Sequence, residues 1–456
     1  MALLDNAEVA DEGAPPDALE FIHDLRWDDI PANVRHHAQR SLLDLIGVAA
    51  GGRKTVNARI VCDFVSAHCG PGDKGARLLF DGRRVSVPGA AMANAAMIDA
   101  LDAHDGHRLA KGHAGAVILP SLLAFSTELA PCSGAEFMAR FVLGYEIAIR
   151  AGITLHASVD EYHSSGAWNA LGAAAIGARA LGLDSDQTAH ALGTAEYYGP
   201  RSPMMRCIDF PTMVKDGATS GAHAGVTAAL LADSGFTGAP ASLIDDQPGA
   251  GIWSDLGVTW RMAEQYLKPW PVCRWVQPAI AAAARIRDEI AGRKIDRLVV
   301  ETFYEAARLT TTHPETSELA QYSLPFPVAA MLVHGKVDAQ TVTTGLLDKA
   351  VTGLAERVEI EISPSLSAAF PGRRSARLVA VLYSGEVIET PVVEAPGEPE
   401  TPLSDTDLVN KFIDLMTPLT GQLKAVSIAE MAATLEERES VGPLIEAICE
   451  FPEGLS

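Results

Sequence analysis

Histidines, aspartates and basic residues are concentrated in one short segment of the chain, residues 102–115. Its sequence is Asp-Ala-His-Asp-Gly-His-Arg-Leu-Ala-Lys-Gly-His-Ala-Gly, and these residue types can transfer protons, bind carboxylates or ligate a metal. It lies between a small-residue run, 89–98, and an apolar run, 117–123, which predicts a loop at the end of a buried helix. A polar cluster between buried elements lowers stability unless its groups are paired or used in chemistry. The candidate site residues of this segment are Asp102, His107, Arg108, Lys111 and His113.

Two other interpretations of residues 102–115 remain open. The segment is a solvated loop with paired surface charges, or it holds a metal, because three histidines and two aspartates fall within twelve residues. The spacing matches neither HExxH nor any other ligand pattern that we can place. We therefore predict that no metal is bound.

Two further segments place a chemically competent side chain before a predicted helix of small residues. His163 lies in Tyr-His-Ser-Ser-Gly, residues 162–166, where the helix start would direct backbone N–H groups at a carboxylate. Lys215 lies between Met-Val and a glycine-rich helix start. If Lys215 is removed from water, its pKa falls and it can act as a base. Otherwise it is a helix-start lysine that the helix macrodipole disfavours. A structural role also remains open for His163, because a lone histidine is more often structural than catalytic.

A fourth segment, residues 268–275, combines two cations with two tryptophans. Lys268 and Arg274 alternate there with prolines, Trp270, Cys273 and Trp275. The segment either holds anions or forms a stiff connector with cation–π contacts.

Composition narrows the class of function. A net charge of −22 argues against nucleic acid and anionic membranes as partners, but not against a local basic pocket for an anionic substrate. A strand followed by GxGxxG, a P-loop and GxSxG are all missing, which removes support for NAD, ATP and serine-hydrolase chemistry. The six cysteines form no CxxC pair, and the N-terminus lacks the features of a signal peptide, so we expect a cytoplasmic protein with reduced thiols.

The elements that must position these residues are mainly helical. Apolar spacing predicts helices through residues 17–267, a smaller α+β domain at 268–397, and C-terminal helices at 398–456 that return to a helical domain begun at residue 1. Strands are predicted at 295–303 and 357–363, and a hairpin at 377–383 and 387–393. Helices are predicted at 326–334 and 338–349, and Ser404 as the cap of the first C-terminal helix.

Taken in order along the chain, these four motifs resemble the MmgE/PrpD family, and the resemblance extends from residues 41–47 to Tyr322 and residues 323–326. The resemblance implies an all-helical domain, a chorismate-mutase-like α+β domain, a site between them, a homodimer and no cofactor. It gives His113, His163 and Lys215 catalytic roles. We expect the substrate-binding residues to be Asp102, His107, Arg108, Lys111, Lys268, Arg274 and Tyr322. The four lysines and arginines among them would bind carboxylates, and Tyr322 would close the site from the small domain.

The resemblance also implies the reaction, which is removal of a proton from carbon next to a carboxylate. His-Asp-Gly-His and Lys-Gly-His-Ala-Gly are most similar to the iminodisuccinate epimerase branch. Dehydratase and decarboxylase branches have Asp-aromatic-Asp-Asp where this chain has Asp-Ala-His-Asp, and many members have a histidine at Gln277. The sequence therefore predicts an epimerase of a small polycarboxylate. A lyase acting on a citrate-like acid is the first alternative, and a non-catalytic binding protein is the second.

Overall fold

A computed structural model describes residues 17–245 and 250–451. The N-terminal residues that lack the features of a signal peptide lie outside these ranges. Within them the chain is mainly helical with a smaller α+β part, as predicted from the sequence. The helices that precede the α+β part are α1 Ala18–Asp24, α2 Ala32–Gly52, α3 Val56–His68, α4 Val87–Asp99, α5 Gly115–Thr127, α6 Gly134–Ser158, α7 Gly166–Leu181, α8 Ser185–Tyr198, α9 Met205–Asp209, α10 Ala218–Asp233, α11 Ser242–Asp245 and α12 Ala250–Trp253.

Small residues let the central helices α6, α7 and α10 approach closely. A Cβ at Gly172 of α7 would lie 2.5 Å from the carbonyl oxygen of Gly144 on α6. A Cβ at Gly225 of α10 would lie 2.2 Å from the carbonyl oxygen of Ala170 on α7. These helices therefore pack with little side chain between their backbones, and the start of α7 is held rigidly beside residues 102–115.

The α+β part contains the main sheet and five helices, α13 Gln277–Ile290, α14 Ser317–Gln321, α15 Pro325–His334, α16 Lys349–Ala355 and α17 Pro364–Ala369. The sheet has the order β6-β5-β7-β8, with β5 parallel to β6, the other pairs antiparallel, and β9 also paired to β7. Its strands are β5 Ile295–Thr302, β6 Val358–Ile362, β7 Ser375–Leu382, β8 Val387–Glu389 and β9 Val393–Glu394. Two short antiparallel pairs lie in the helical part, namely β1 Ala76–Arg77 with β2 Arg84–Val85, and β3 Gly106–His107 with β4 Gln265–Tyr266.

The helix predicted at 338–349 is wrong. Residues 339–348 form turns, and the helix begins only at Lys349. The Asp338 carboxylate accepts hydrogen bonds from the Thr341 backbone N–H and hydroxyl, both at 2.8 Å. Such local bonds stabilise a turn in competition with the helix, although the apolar spacing is similar.

The C-terminal helices pack against helices from the first part of the chain. They are α18 Asp405–Thr420, α19 Gln422–Ala433 and α20 Gly442–Cys449, and Ser404 caps α18 in a capping box with Asp407, as predicted. α18 and α19 contact α2, and α20 contacts α5. The Lys411 ammonium of α18 bonds the Asp44 carboxylate at 2.7 Å and the carbonyls of Ala103 and Lys268. α18 therefore holds the backbone next to Asp102 and at Lys268, two residues of the predicted site. No helix in the described ranges is long and apolar enough to cross a bilayer.

Candidate active site

Asp102 lies at the point where three predicted site residues meet. Its carboxylate Oδ1 is 2.5 Å from the Lys268 Nζ and 3.9 Å from the His113 Nε2. The Lys268 ammonium also bonds the Asp102 carbonyl at 2.9 Å. Lys268 is fully buried, so its charge is held by Asp102 and is not free to bind a carboxylate from solvent.

The His113 ring has a defined tautomer. Its Nδ1 lies 2.6 Å from the Asp105 carbonyl oxygen, which can only accept, so Nδ1 carries the proton. Burial, together with the nearby Lys268 ammonium and His104, holds the pKa of His113 well below its usual value. The ring is therefore neutral at pH 7, and Nε2 on the Asp102 side has a free lone pair.

Lys215 approaches the same carboxylate from the middle of the chain. Burial would raise the pKa of Asp102, but the charges of Lys268 and Lys215 outweigh it and hold that pKa well below the usual range. The Lys215 ammonium donates to the Gln321 side-chain oxygen and lies 5.0 Å from the centroid of the Tyr322 ring. Lys215 and Tyr322 are both buried, so the loop before α10 meets the end of α14 around Asp102.

The backbone is strained at two of the converging residues, Asp102 and Lys215, and also at Lys111, which lies apart from them. Four non-glycine residues in the described ranges have φ in the left-handed region, and three of them are Asp102 (+49°), Lys111 (+53°) and Lys215 (+53°). Each such residue costs on the order of 1 to 3 kcal/mol, and strain of this kind clusters at functional sites.

Ser165 and Asp216, which were not predicted from the sequence, join the Lys215 loop to His113. The Ser165 hydroxyl oxygen accepts from the His113 backbone N–H at 2.9 Å and also bonds the Asp216 carboxyl group. Asp216 also accepts from the Ser165 backbone N–H at 2.9 Å. A Cβ at Gly112 would lie 2.1 Å from the Ser165 hydroxyl oxygen, so only glycine permits this approach. The only sequence signal for the link was that Asp216 follows Lys215.

Asp216 gives this link a testable pH dependence. Burial, with Asp99 and Asp102 nearby, raises the pKa of Asp216 to about 8, although the Ser165 hydrogen bonds oppose the shift. Between about pH 4 and pH 8 the unfolded carboxyl is ionised while the folded one holds its proton, so stability falls as pH rises through this window. We expect Asp216→Asn to remove this loss. Thermal melts at pH 5, 6.5 and 8 should show the variant gaining on the parent as pH rises, and parallel curves would contradict the assignment.

Two of the remaining predicted cations, Arg108 and Arg274, both approach the Glu398 carboxylate, and Arg274 also lies over a second buried residue, Tyr266 of β4. The Arg274 guanidinium carbon is 4.7 Å from the centroid of the Tyr266 ring and its nitrogens bond the Glu398 carboxylate at 2.6 and 3.1 Å. Arg108 bonds Glu400 and the Gly372 carbonyl at the rim. The structure thus brings Arg108 and Arg274 together, but both have internal partners.

Three predicted residues lie apart from the group around Asp102. His107 accepts from the Ala110 N–H at 3.2 Å and donates to Glu264 at 3.1 Å, so neither ring nitrogen is left for a ligand. Lys111 lies 6.0 Å from the Tyr162 ring centroid. The His163 backbone bonds the His156 ring at 3.2 Å and pairs with Pro203. Within the described ranges no hydrogen bond or ring contact joins the His163 side chain to Lys215 or His113.

Asp102, His104 and His113 form a group whose ligand atoms lie within 4.8 Å of one another, the distance at which three residues could hold a metal. Two of the three residues already have partners for their ligand atoms. Lys268 bonds Asp102, and the His104 ring contacts the Asp105 carbonyl at 3.2 Å and the Asp99 carboxylate at 3.3 Å. A buried ammonium 2.5 Å from the central ligand also repels a cation.

We therefore still predict that the protein binds no metal. Metal analysis of the purified protein should find less than stoichiometric zinc, iron or manganese, and chelation should leave activity unchanged. Stoichiometric metal whose removal abolishes activity would contradict this prediction.

The comparisons with known proteins agree over nearly the whole chain. Residues 18–260 match the MmgE/PrpD N-terminal domain and residues 270–437 match the MmgE/PrpD C-terminal domain. The cis-aconitate decarboxylase-like protein oryM of Aspergillus oryzae (strain ATCC 42149 / RIB 40) is 24% identical over 94% of this chain and 95% of its own length. Two cis-aconitate decarboxylases from Aspergillus terreus, one from strain NIH 2624 / FGSC A1156, are 22% identical over 96% of both chains. The chain therefore belongs to the MmgE/PrpD family.

Proposed function

We propose that the protein is an enzyme that moves a proton at carbon next to a carboxylate of a small polycarboxylate, without a cofactor. The observation that supports this most strongly is the state of His113, a neutral imidazole whose free Nε2 faces a buried carboxylate held by Lys268 and Lys215. A neutral base beside buried cations is what a weak carbon acid requires.

In this proposal His113 and Lys215 divide the proton chemistry between them. The His113 Nε2 accepts the proton from carbon, and the electron pair moves into the adjacent carboxylate to give an enolate-like dianion. The Lys215 ammonium stabilises that charge, which is effective because the site is buried and its effective dielectric constant is low. Lys268 and the Asp105 carbonyl hold Asp102 and His113 in place.

The same groups serve two outcomes, and the first is a lyase reaction. In decarboxylation CO₂ leaves, its bonding electron pair shifts toward a carbon next to a remaining carboxylate, and an acid such as the Lys215 ammonium protonates that carbon. The relatives named as cis-aconitate decarboxylases or decarboxylase-like, with matches along 94–96% of this chain, favour this outcome.

The second outcome is epimerisation, as for iminodisuccinate. It needs a group that removes the proton from one face and another that returns a proton to the other face. His113 and Lys215 come from different segments, residues 102–115 and the loop before α10, and so offer two such groups. The residues Asp-Ala-His-Asp at 102–105 and Gln277 also favour it, because they depart from the lyase branches.

Incubation of the purified protein with single polycarboxylates, followed by proton NMR, distinguishes these outcomes. Suitable substrates are cis-aconitate, citrate, 2-methylcitrate and the separate stereoisomers of iminodisuccinate. A lyase yields a new compound, while an epimerase converts one stereoisomer into another. Binding without any conversion would instead support the non-catalytic alternative, and neither binding nor conversion would contradict the polycarboxylate proposal.

We also propose that the protein is a homodimer. Val56, Ile60 and Phe64 form an exposed apolar stripe at four-residue spacing on α3, and Asn57 bonds the backbone of Met213 beside exposed Val214. An exposed apolar patch of this kind commonly marks a protein interface. Light scattering after size exclusion should give twice the chain mass, and Phe64→Glu should shift it toward the monomer. A monomeric parent would contradict the proposal.

A further inference from the structure

The predicted carboxylate-binding cations around the site have internal partners. Lys268 is held by Asp102, Arg274 by Glu398, and Arg108 by Glu400. When a polycarboxylate is bound in a buried site, each carboxylate that does not react needs a cationic partner there. A buried cation with unused donors would therefore be the most informative residue near the site.

Arg374 is such a cation. It lies directly before β7, and its side chain is only 5% exposed. Its Nε and Nη1 are buried and have no hydrogen-bond partner among the described residues. In the described part of the chain its ion-pair partner is Glu398, whose Oε1 lies 3.9 Å from Nη1 without forming a hydrogen bond. Leaving charged donors unsatisfied in the interior is costly, so a ligand is the natural partner.

Tyr266 connects Arg374 to His113. The Arg374 guanidinium carbon lies 5.5 Å from the centroid of the Tyr266 ring, and the His113 ring meets the same ring edge-on at 6.5 Å. A Cβ at Gly106 would lie 2.3 Å from the Tyr266 hydroxyl oxygen and 2.8 Å from the His113 Nδ1, so the two groups meet at Gly106. One aromatic side chain therefore separates the unused donors from the proposed base.

The charges in this region do not balance. The guanidinium groups of Arg108, Arg274 and Arg374 face Glu398, whose Oε1 bonds Arg274 and whose Oε2 has no hydrogen bond in the described ranges. Glu400 also pairs with Arg108. Three guanidiniums therefore share two carboxylates, those of Glu398 and Glu400. The excess positive charge is at Arg374, because the other two guanidiniums form hydrogen bonds.

We infer that Arg374 binds a carboxylate of the substrate, the one remote from the reacting carbon, and so completes the site from the α+β part of the chain. The planar guanidinium presents two parallel donors that match a carboxylate. The inference rests on the proposed function, since it requires a substrate with more than one carboxylate. It makes Arg374 the residue that distinguishes a tricarboxylate from a shorter acid.

Calorimetric titration with tricarballylate and with succinate tests this role in the full chain. We expect the parent to bind tricarballylate more tightly than succinate. Arg374→Gln should weaken tricarballylate by about 10- to 100-fold and remove the preference, because a hydrogen-bonded charge contributes that much. The neighbouring Arg373→Gln is the matched control, since the Arg373 side chain is 72% exposed and pairs with Glu394 away from Tyr266, and it should bind as the parent does.

Thermal melts separate a binding role from a structural one. Without ligand, Arg374→Gln should melt at the same temperature as the parent or higher, because it removes an unsatisfied buried charge. If that variant does not fold, Arg374→Lys should show an intermediate loss of tricarballylate affinity. Tricarballylate affinity within twofold of the parent in Arg374→Gln, or in Arg374→Lys if only that variant folds, would overturn the inference alone. A parent that binds no polycarboxylate would overturn the proposed function and the inference together.

Discussion

We expect Lys215→Ala to lower kcat by about 10² to 10⁴ while the fold remains intact. Within residues 17–245 and 250–451, the hydrogen-bond and ring partners of the Lys215 ammonium are the Gln321 side-chain oxygen and the Tyr322 ring, and its charge acts on the Asp102 carboxylate. Removing it therefore removes the proposed acid and the charge that stabilises the dianion. Steady-state kinetics with the substrate found by NMR measures the loss, and circular dichroism checks the fold.

Two companion variants sharpen the Lys215 experiment. Lys336→Ala removes a lysine that is 62% exposed and paired with Asp338, so it should retain full activity. Lys215→Arg keeps the charge but not the compact ammonium, so it should also lose most activity. A Lys215→Ala enzyme within a few-fold of the parent would make Lys215 a structural residue and remove the acid from the mechanism.

We expect His113→Asn to lower kcat by about 10² to 10⁴ as well. The asparagine amide can still donate to the Asp105 carbonyl, as the His113 Nδ1 does, but it has no group in place of Nε2. The substitution therefore removes the proposed base and keeps its supporting hydrogen bond. Because the pKa of His113 is held well below the usual value, the parent should keep its base in the active form from neutral into mildly acidic pH.

His190 provides the matched control for His113→Asn. Its Nδ1 also faces a backbone carbonyl, that of Gly238 at 3.2 Å, but it lies on α8 and not among the candidate site residues. His190→Asn should leave kcat unchanged. If His113→Asn retained parental kcat with the fold preserved, His113 would not be the base.

The sequence was sufficient to predict which segments supply the residues grouped around Asp102. The density of ionisable groups at 102–115, the lysine before a small-residue helix and the two cations of 268–275 pointed to Asp102, His113, Lys215 and Lys268. The family resemblance added Tyr322. These residues are close in space because α4, α7 and α10 pack closely, which the glycine and alanine spacing already indicated. The main helices and strands were predictable for the same reason, since each has a clear apolar period.

The sequence could not predict which partner each charged group takes. Lys268 and Lys215 are equivalent as lysines in a sequence, yet one is held by a carboxylate and the other by Gln321 and Tyr322. The tautomer of His113 depends on the Asp105 carbonyl, a backbone group without a sequence signature. Arg374 is next to the exposed Arg373, and only the burial of one of the two arginines separates their roles.

Turnover in D₂O tests the central claim, that His113 and Lys215 move a proton at carbon beside a carboxylate. With the substrate found by NMR, the parent should place deuterium on one carbon next to a carboxylate. In a decarboxylation that carbon is the one that receives the electron pair released with CO₂, and in an epimerisation it is the inverted centre. Lys215→Ala and His113→Asn should place none there in the same time. Decarboxylation or epimerisation by the parent with no solvent deuterium on carbon would contradict the account.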